Sequence, residues 1–114
     1  MLSSTVFFFA GTASQGLGKS IAKLAHKSLG KWELQRFSDG EIRPILQENV
    51  NGAMVVLIQS TYIPMDHLME LLLMIDAAKN AGARKVVVVV PYLGYMRQDK
   101  VHQGRRIIWS CACN

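Results

Sequence analysis

Arg84-Lys85-Val86-Val87-Val88-Val89-Val90-Pro91 decides the fold class. Five consecutive β-branched residues strongly favour extended backbone, and an unbroken apolar run in place of alternation predicts a strand buried on both faces of a sheet. Val6-Phe7-Phe8-Phe9-Ala10 and Met54-Val55-Val56-Leu57-Ile58 share that character. Between the first two such runs, Ser14 is a good N-cap, and Leu17, Ile21, Leu24, Ala25 and Leu29 recur at helical spacing opposite Lys19, Lys23 and Lys27. This predicts a helix that Gly30 stops. Before the valine run, Pro64 precedes Asp66, a potential cap for a second helix with Leu68, Leu71, Leu72, Ile75 and Ala78 as its apolar face and Gly82 as its end.

Trp32-Glu33-Leu34-Gln35-Arg36-Phe37 alternates as a half-buried strand should, Asp39-Gly40 is a turn dipeptide, and residues 42–46 form the returning arm. Pro44 confines that arm to an edge or a bulge. The order is β-α-β-β-β-α-β, which predicts an α/β fold with a mainly parallel sheet flanked by helices on both faces. The chain carries no repeat, linker or low-complexity segment, so it is expected to form one unit.

With 50% hydrophobic and 18% charged residues among 114, the chain supports a core, and disorder is excluded. No apolar run approaches the roughly 20 residues that span a bilayer, so no membrane partner is expected. The opening Met1-Leu2-Ser3-Ser4-Thr5 lacks the basic residues of a secretory signal, and the expected location is cytoplasmic. Cys111 and Cys113 lie one residue apart, where a bridge would be strained, and they make at most a weak metal site.

The formal charge of +5 favours anionic partners. Its distribution is uneven: residues 1–40 carry +3, residues 41–96 carry −1, and residues 97–114 carry +3. Without aromatic residues interleaved in a basic surface, or a recognition-helix motif, nucleic acid is not an expected partner.

Three segments carry candidate chemistry. Ala13-Ser14-Gln15-Gly16-Leu17-Gly18-Lys19-Ser20 follows a strand and ends like a phosphate-cradling P-loop, but Ala13 stands where that loop needs glycine. Its plain reading is a helix start with Lys19 in solvent. Phe37-Ser38-Asp39-Gly40-Glu41 reads either as a hairpin turn with two solvated acids or as an adenine site, with a ring for stacking and carboxylates for the exocyclic amine.

Pro91-Tyr92-Leu93-Gly94-Tyr95-Met96-Arg97-Gln98-Asp99-Lys100 follows the valine strand, where open α/β sheets bind ligands. Arg97 and Lys100 are suited to phosphate oxygens, against the alternative of an ordinary charged loop. His26 and His67 read as structural or solvated, since neither has metal-ligand companions at the right spacing. Met65, Met69 and Met74 read as core or oligomer-contact residues.

Taken together, Phe9-Ala10-Gly11-Thr12-Ala13, Arg36-Phe37-Ser38-Asp39-Gly40-Glu41, Glu48-Asn49-Val50-Asn51-Gly52, Ile58-Gln59-Ser60-Thr61, residues 68–77 and residues 91–99 resemble, in order and spacing, the amino-terminal domain of ribose-phosphate pyrophosphokinase. That family is also called phosphoribosyl pyrophosphate synthetase. The resemblance covers about residues 7–105. It implies an incomplete phosphoribosyltransferase-like amino-terminal domain over residues 1–105, followed by a divergent tail over residues 106–114. The implied activity is transfer of the diphosphoryl group of ATP to ribose 5-phosphate, with magnesium, giving phosphoribosyl pyrophosphate and AMP.

Carried over by position, Phe37, Asp39 and Glu41 would hold adenine from one subunit, while Arg97 and Gln98 would meet the ATP phosphates of a neighbour. The resemblance thus implies a homo-oligomer. Asp99, Lys100, His102 and Arg105 would belong to a loop bordering the ATP and regulatory phosphate sites. The family's metal-proximal histidine segment, catalytic flexible loop and ribose 5-phosphate loop have no counterpart here, so no catalytic or metal-binding residue is assigned. The chain is expected to be a truncated or frame-shifted member, inactive alone. The alternative is a noncatalytic ATP-binding or regulatory subunit that joins a full-length synthetase.

Overall fold

A computed structural model describes residues 5–94. The elements are β1 (Val6–Ala10), α1 (Gln15–Leu24), β2 (Trp32–Arg36), β3 (Ile42–Leu46), β4 (Met54–Ile58), α2 (Asp66–Asn80) and β5 (Lys85–Val89), in the expected order. The three wholly apolar runs form one parallel sheet in the order β1-β4-β5, with Val6 opposite Met54 and Met54 opposite Lys85. The fold class read from the sequence is the one observed.

Because β4 is central, Val55, Val56, Leu57 and Ile58 are all buried. On one face of the sheet, Phe9, Val55 and Leu57 cluster with Leu71, Met74 and Ala78 of α2. Alternation along the strands turns Ala10 and Ile58 to the other face. There Gly18 of α1 lies so close that an added Cβ would overlap the Ala10 Cβ. The glycine that gave the α1 segment its phosphate-loop look therefore serves helix–strand packing.

Helix α1 ends at Leu24, short of the expected Gly30, and Leu24 is 83% exposed. His26 adopts φ 58°, Lys27 N–H donates to Ala22 O at 2.8 Å, and His26 N–H donates to Lys23 O at 3.0 Å. This is a Schellman ending with histidine in the left-handed position that glycine usually fills. His26 therefore lies past the helix. Ser14 occupies the N-cap position but makes no capping bond, because its Oγ accepts the buried Ser60 N–H at 3.0 Å.

In α2, Asp66 is the first helical residue and does not cap the helix. Its carboxylate instead meets Arg36 at 3.5 Å in an exposed ion pair. The buried stripe is Glu70, Leu71, Met74 and Ala78, and Leu72, expected on the apolar face, is 49% exposed. Met74 is core, whereas Met65 and Met69 are exposed.

Strands β2 and β3 form a separate antiparallel pair with Leu34 opposite Pro44. With a single neighbour, β3 has the free edge that a proline needs. The hairpin is fastened to the sheet by Trp32 Nε1, which donates to Ala10 O at 2.9 Å, and it packs against α2 through β3. Among the described residues, no helix is long and apolar enough to cross a membrane.

Candidate functional site

Helices α1 and α2 lie on opposite faces of the sheet, and the neighbouring carboxyl ends of β1 and β4 open on a crevice between them. Open α/β sheets bind ligands outside the carboxyl ends of their strands. Here the protein's own side chains fill that crevice. Gln59, buried just past β4, accepts the Ala13 N–H at 3.1 Å and donates through Nε2 to Glu70 Oε2 at 2.9 Å and to His67 O at 3.3 Å.

Glu70 is 1% exposed and accepts the Thr12 N–H at 3.0 Å and the Thr12 hydroxyl at 2.7 Å. Three donors converge on one carboxylate, which satisfies a buried group that would otherwise be costly. Gly11 makes the arrangement possible, since a Cβ there would overlap Gln59 Oε1. The N–H groups of Thr12 and Ala13 are thus occupied by Glu70 and Gln59. The rest of the candidate P-loop, from Gln15 on, is already helix α1 and cannot wrap its N–H groups around a phosphate, so this loop lacks that function and Lys19 is simply exposed.

The β5 side of the crevice is built from Thr61. Its N–H donates to Tyr92 O at 2.9 Å, and its Oγ1 accepts the Gly94 N–H at 3.0 Å. A Cβ on the buried Gly94 would overlap Thr61 O. His67 Nδ1 lies 2.9 Å from Tyr62 O, and its ring packs edge-on to Tyr62 with centroids 4.8 Å apart. Sequence reasoning assigns no role to Gln59, Ser60, Thr61 or Glu70. The available signal was a polar triplet directly after an all-apolar strand, and a lone acid among leucines.

Phe37, Asp39 and Glu41 share the tip of the β2–β3 hairpin. Phe37 N–H donates to Glu41 O at 2.8 Å, Gly40 N–H to Phe37 O at 3.0 Å, and Glu41 N–H to Asp39 Oδ1 at 3.0 Å. Gly40 holds φ 98°, a value that accounts for glycine in the turn. Phe37 is 41% exposed, with the Arg43 guanidinium carbon 5.5 Å from its ring centroid. Asp39 thus shapes the turn, while the ring and the Glu41 carboxylate remain exposed.

A cleft of about 440 Å³ separates this tip from α2, lined by Gly40, Glu41, Ile42, Asp66, Met69 and Leu73. A second cleft, of about 460 Å³, lies beside the end of β1, with Thr12, Gln15, Lys31, Trp32 and Gln47 among its lining; none of the sequence-predicted site residues borders it. Arg97, Gln98, Asp99, Lys100, His102 and Arg105 lie outside the described residues. The structure therefore brings together the three hairpin residues and leaves the basic segment unplaced. No group of three or more His, Cys, Asp or Glu side chains among the described residues is arranged to hold a metal.

Comparison with known proteins agrees with this architecture. Residues 6–113 match the family model of the N-terminal domain of ribose phosphate pyrophosphokinase, a span that takes in nearly all of the stretch read as a divergent tail. The chain is 47% identical over 106 residues to ribose-phosphate pyrophosphokinase 2, chloroplastic, of Oryza sativa subsp. japonica, covering 92% of this chain and 27% of that protein. It is 48% identical over 101 residues to ribose-phosphate pyrophosphokinase of Bacillus caldolyticus, covering 88% of this chain and 32% of the relative.

The crystal structure of phosphoribosylpyrophosphate synthetase from Mycobacterium smegmatis superposes with a TM-score of 0.83 at 35% identity, covering 90% of this chain and 35% of that one. The chain thus spans about a quarter to a third of the length of these relatives. Its parallel sheet, its hairpin and nearly its whole length fall within one family's leading domain, and the chain belongs to the ribose-phosphate pyrophosphokinase family.

Proposed function

We propose that this chain supplies the ATP-binding part of a ribose-phosphate pyrophosphokinase, an enzyme that transfers the diphosphoryl group of ATP to ribose 5-phosphate. The observation that carries this reading is the hairpin tip, where an exposed aromatic ring stands with two carboxylates, of which Glu41 lines the cleft facing α2. Adenine stacks on Phe37, and its exocyclic amine donates to Glu41, with the second oxygen of Asp39 as a further acceptor. Arg97 and Gln98 engage the phosphates, with Asp99, Lys100, His102 and Arg105 in the adjoining phosphate and regulatory loop.

The hairpin and the basic segment serve one nucleotide from different subunits of a homo-oligomer. Magnesium enters as Mg-ATP, held chiefly by the phosphates, a mode in which few protein ligands are required. The described residues do not fit a resident metal, and no step is assigned to one. Turnover also needs a site for the acceptor sugar, because binding ATP without holding that sugar cannot bring the reacting oxygens into line. The reading places the chain in the cytoplasm.

Calorimetric titration of the full chain with Mg-ATP tests this, beside Phe37→Ala and Arg97→Ala. Saturable binding, weakened about tenfold by each substitution, is expected for the loss of a stacking or charge-assisted contact. A cooperatively melting chain that shows no saturable binding overturns the reading.

A further inference from the structure

We propose that Arg43, which lies outside the aromatic and acidic set assigned to adenine, is a positioning residue that holds the Phe37 ring as a platform with one open face for the base. The proposal rests on the reading of Phe37 as the stacking residue, and its test separates the two.

Alternation along β2 and β3 gives the hairpin two faces. Leu34, Ile42 and Pro44 share the face that is buried or half-buried, whereas Gln35, Phe37, Glu41 and Arg43 share the other and are exposed. Gln35 lies opposite Arg43 in the ladder, and the Phe37 N–H bond to Glu41 O carries the pairing to the next outward-facing position. Phe37 and Arg43 are therefore diagonal neighbours on one face, a separation that aromatic and long side chains bridge. The Arg43 guanidinium carbon accordingly sits over the ring, 5.5 Å from its centroid, within the range of cation–π attraction.

No carboxylate among the described residues draws the guanidinium off the ring, since the ion pair there is that of Arg36 with Asp66. A planar, delocalised cation is also well suited to lie flat on an aromatic face. An exposed phenylalanine beside a turn otherwise samples several rotamers, and a base that stacks on it loses affinity by stopping that motion. With the guanidinium against one face, the ring is ordered before the base arrives, and the opposite face alone is left for stacking. Arg43 thereby sets both the readiness of the platform and the side from which adenine approaches. Its effect passes to the base through Phe37 and is indifferent to the phosphates.

The test uses the full chain as wild type, Arg43→Ala, Arg43→Lys and Arg43→Gln, titrated with adenosine and with Mg-ATP and followed by NMR. Before any ligand is added, the side-chain protons of Arg43 report the contact through the ring current of Phe37, with Phe37→Leu as the reference. They are expected upfield in the wild type and at ordinary positions in Phe37→Leu. Arg43→Ala is expected to raise the Kd for adenosine and for Mg-ATP by the same factor, about threefold, as for one exposed cation–π contact. Arg43→Lys, which keeps a cation for the ring, recovers most of that loss, and Arg43→Gln does not. Because the position is exposed, the melting temperature stays at the wild-type value in all three variants.

A loss confined to Mg-ATP overturns the proposal, because Arg43 would then be meeting the phosphates. Tighter adenosine binding by Arg43→Ala overturns it too, since guanidinium and base would be competing for the ring. So does the absence of a ring-current shift at Arg43, recovery by Arg43→Gln as full as by Arg43→Lys, or a wild-type chain that binds Mg-ATP and no adenosine. Binding of both ligands that Arg43→Ala leaves unaltered overturns the proposal alone and keeps the ATP reading. A wild-type chain that binds neither ligand overturns the ATP reading, and the proposal falls with it.

Discussion

The carboxylate of Glu70 accepts both the backbone N–H of Thr12, at 3.0 Å, and its hydroxyl, at 2.7 Å, across 58 positions of sequence. One helical side chain thereby fixes the loop that follows the first strand, and no cation pairs with it among the described residues. Glu70→Ala leaves the Thr12 N–H without its acceptor and the Gln59 amide with only the His67 carbonyl. The expected loss is about 3 kcal/mol, from unsatisfied buried donors, seen as a lower urea midpoint. A loss below about 0.5 kcal/mol would show that the loop holds its shape without the carboxylate.

The close approach of Gly11 to Gln59 makes a coupled pair. Gly11→Ala is expected to cost about 2 kcal/mol through overpacking. Gln59→Ala removes the obstructing amide, so the double variant should be more stable than the summed single effects predict, by about 1 kcal/mol. A denaturation cycle on the four chains measures this, and strict additivity would contradict the contact.

At the end of α1, His26 holds a left-handed conformation at φ 58°. His26→Gly relieves that strain at the cost of a looser unfolded chain. A net gain of about 0.5 kcal/mol is expected, read as a higher melting temperature. Destabilisation by the same amount would mean that the imidazole contributes contacts that outweigh the backbone.

Because the chain from Gln15 on is already helix α1, Lys19 has no phosphate cradle to serve. Lys19→Ala should leave Mg-ATP affinity within about twofold of wild type, well under one charge-assisted hydrogen bond. A tenfold loss in the same titration would return the loop to the list of phosphate contacts.

The legible parts of the fold were those in which each residue of a run pointed the same way. Met54–Ile58 is apolar throughout and is the central strand, and Asp39-Gly40 marked the hairpin tip where the structure places it, whereas the equally apolar valine run, expected to be buried on both faces, lies at the edge of the described sheet with Val88 37% exposed. The end of α1 was hidden because Leu29 continues the apolar spacing beyond a stop supplied by histidine in place of glycine. The buried arc of α2 was hidden for the opposite reason: leucine and methionine occur all round residues 68–75, so hydrophobicity alone does not choose between Leu72, which is exposed, and Met74, which is buried.

Of the candidate site, the hairpin half was readable from a local motif. The Gln59–Glu70 lock was not, because its meaning depends on Thr12 and Glu70 meeting in space, and no local pattern around either residue announces a partner so distant.

The pairing of β1 with β4 also imposes an order on biosynthesis. The first strand leaves the ribosome with no sheet partner until Met54–Ile58 follows, and the loop after it has no carboxylate to close on until Glu70 emerges. The β2–β3 hairpin, whose strands are nearly adjacent in sequence, can form in the interval. Its Trp32 then waits for the Ala10 carbonyl to settle. A phenylalanine-rich segment thus stays uncovered until some 45 further residues have been made, the interval in which exposed apolar chain is most prone to associate.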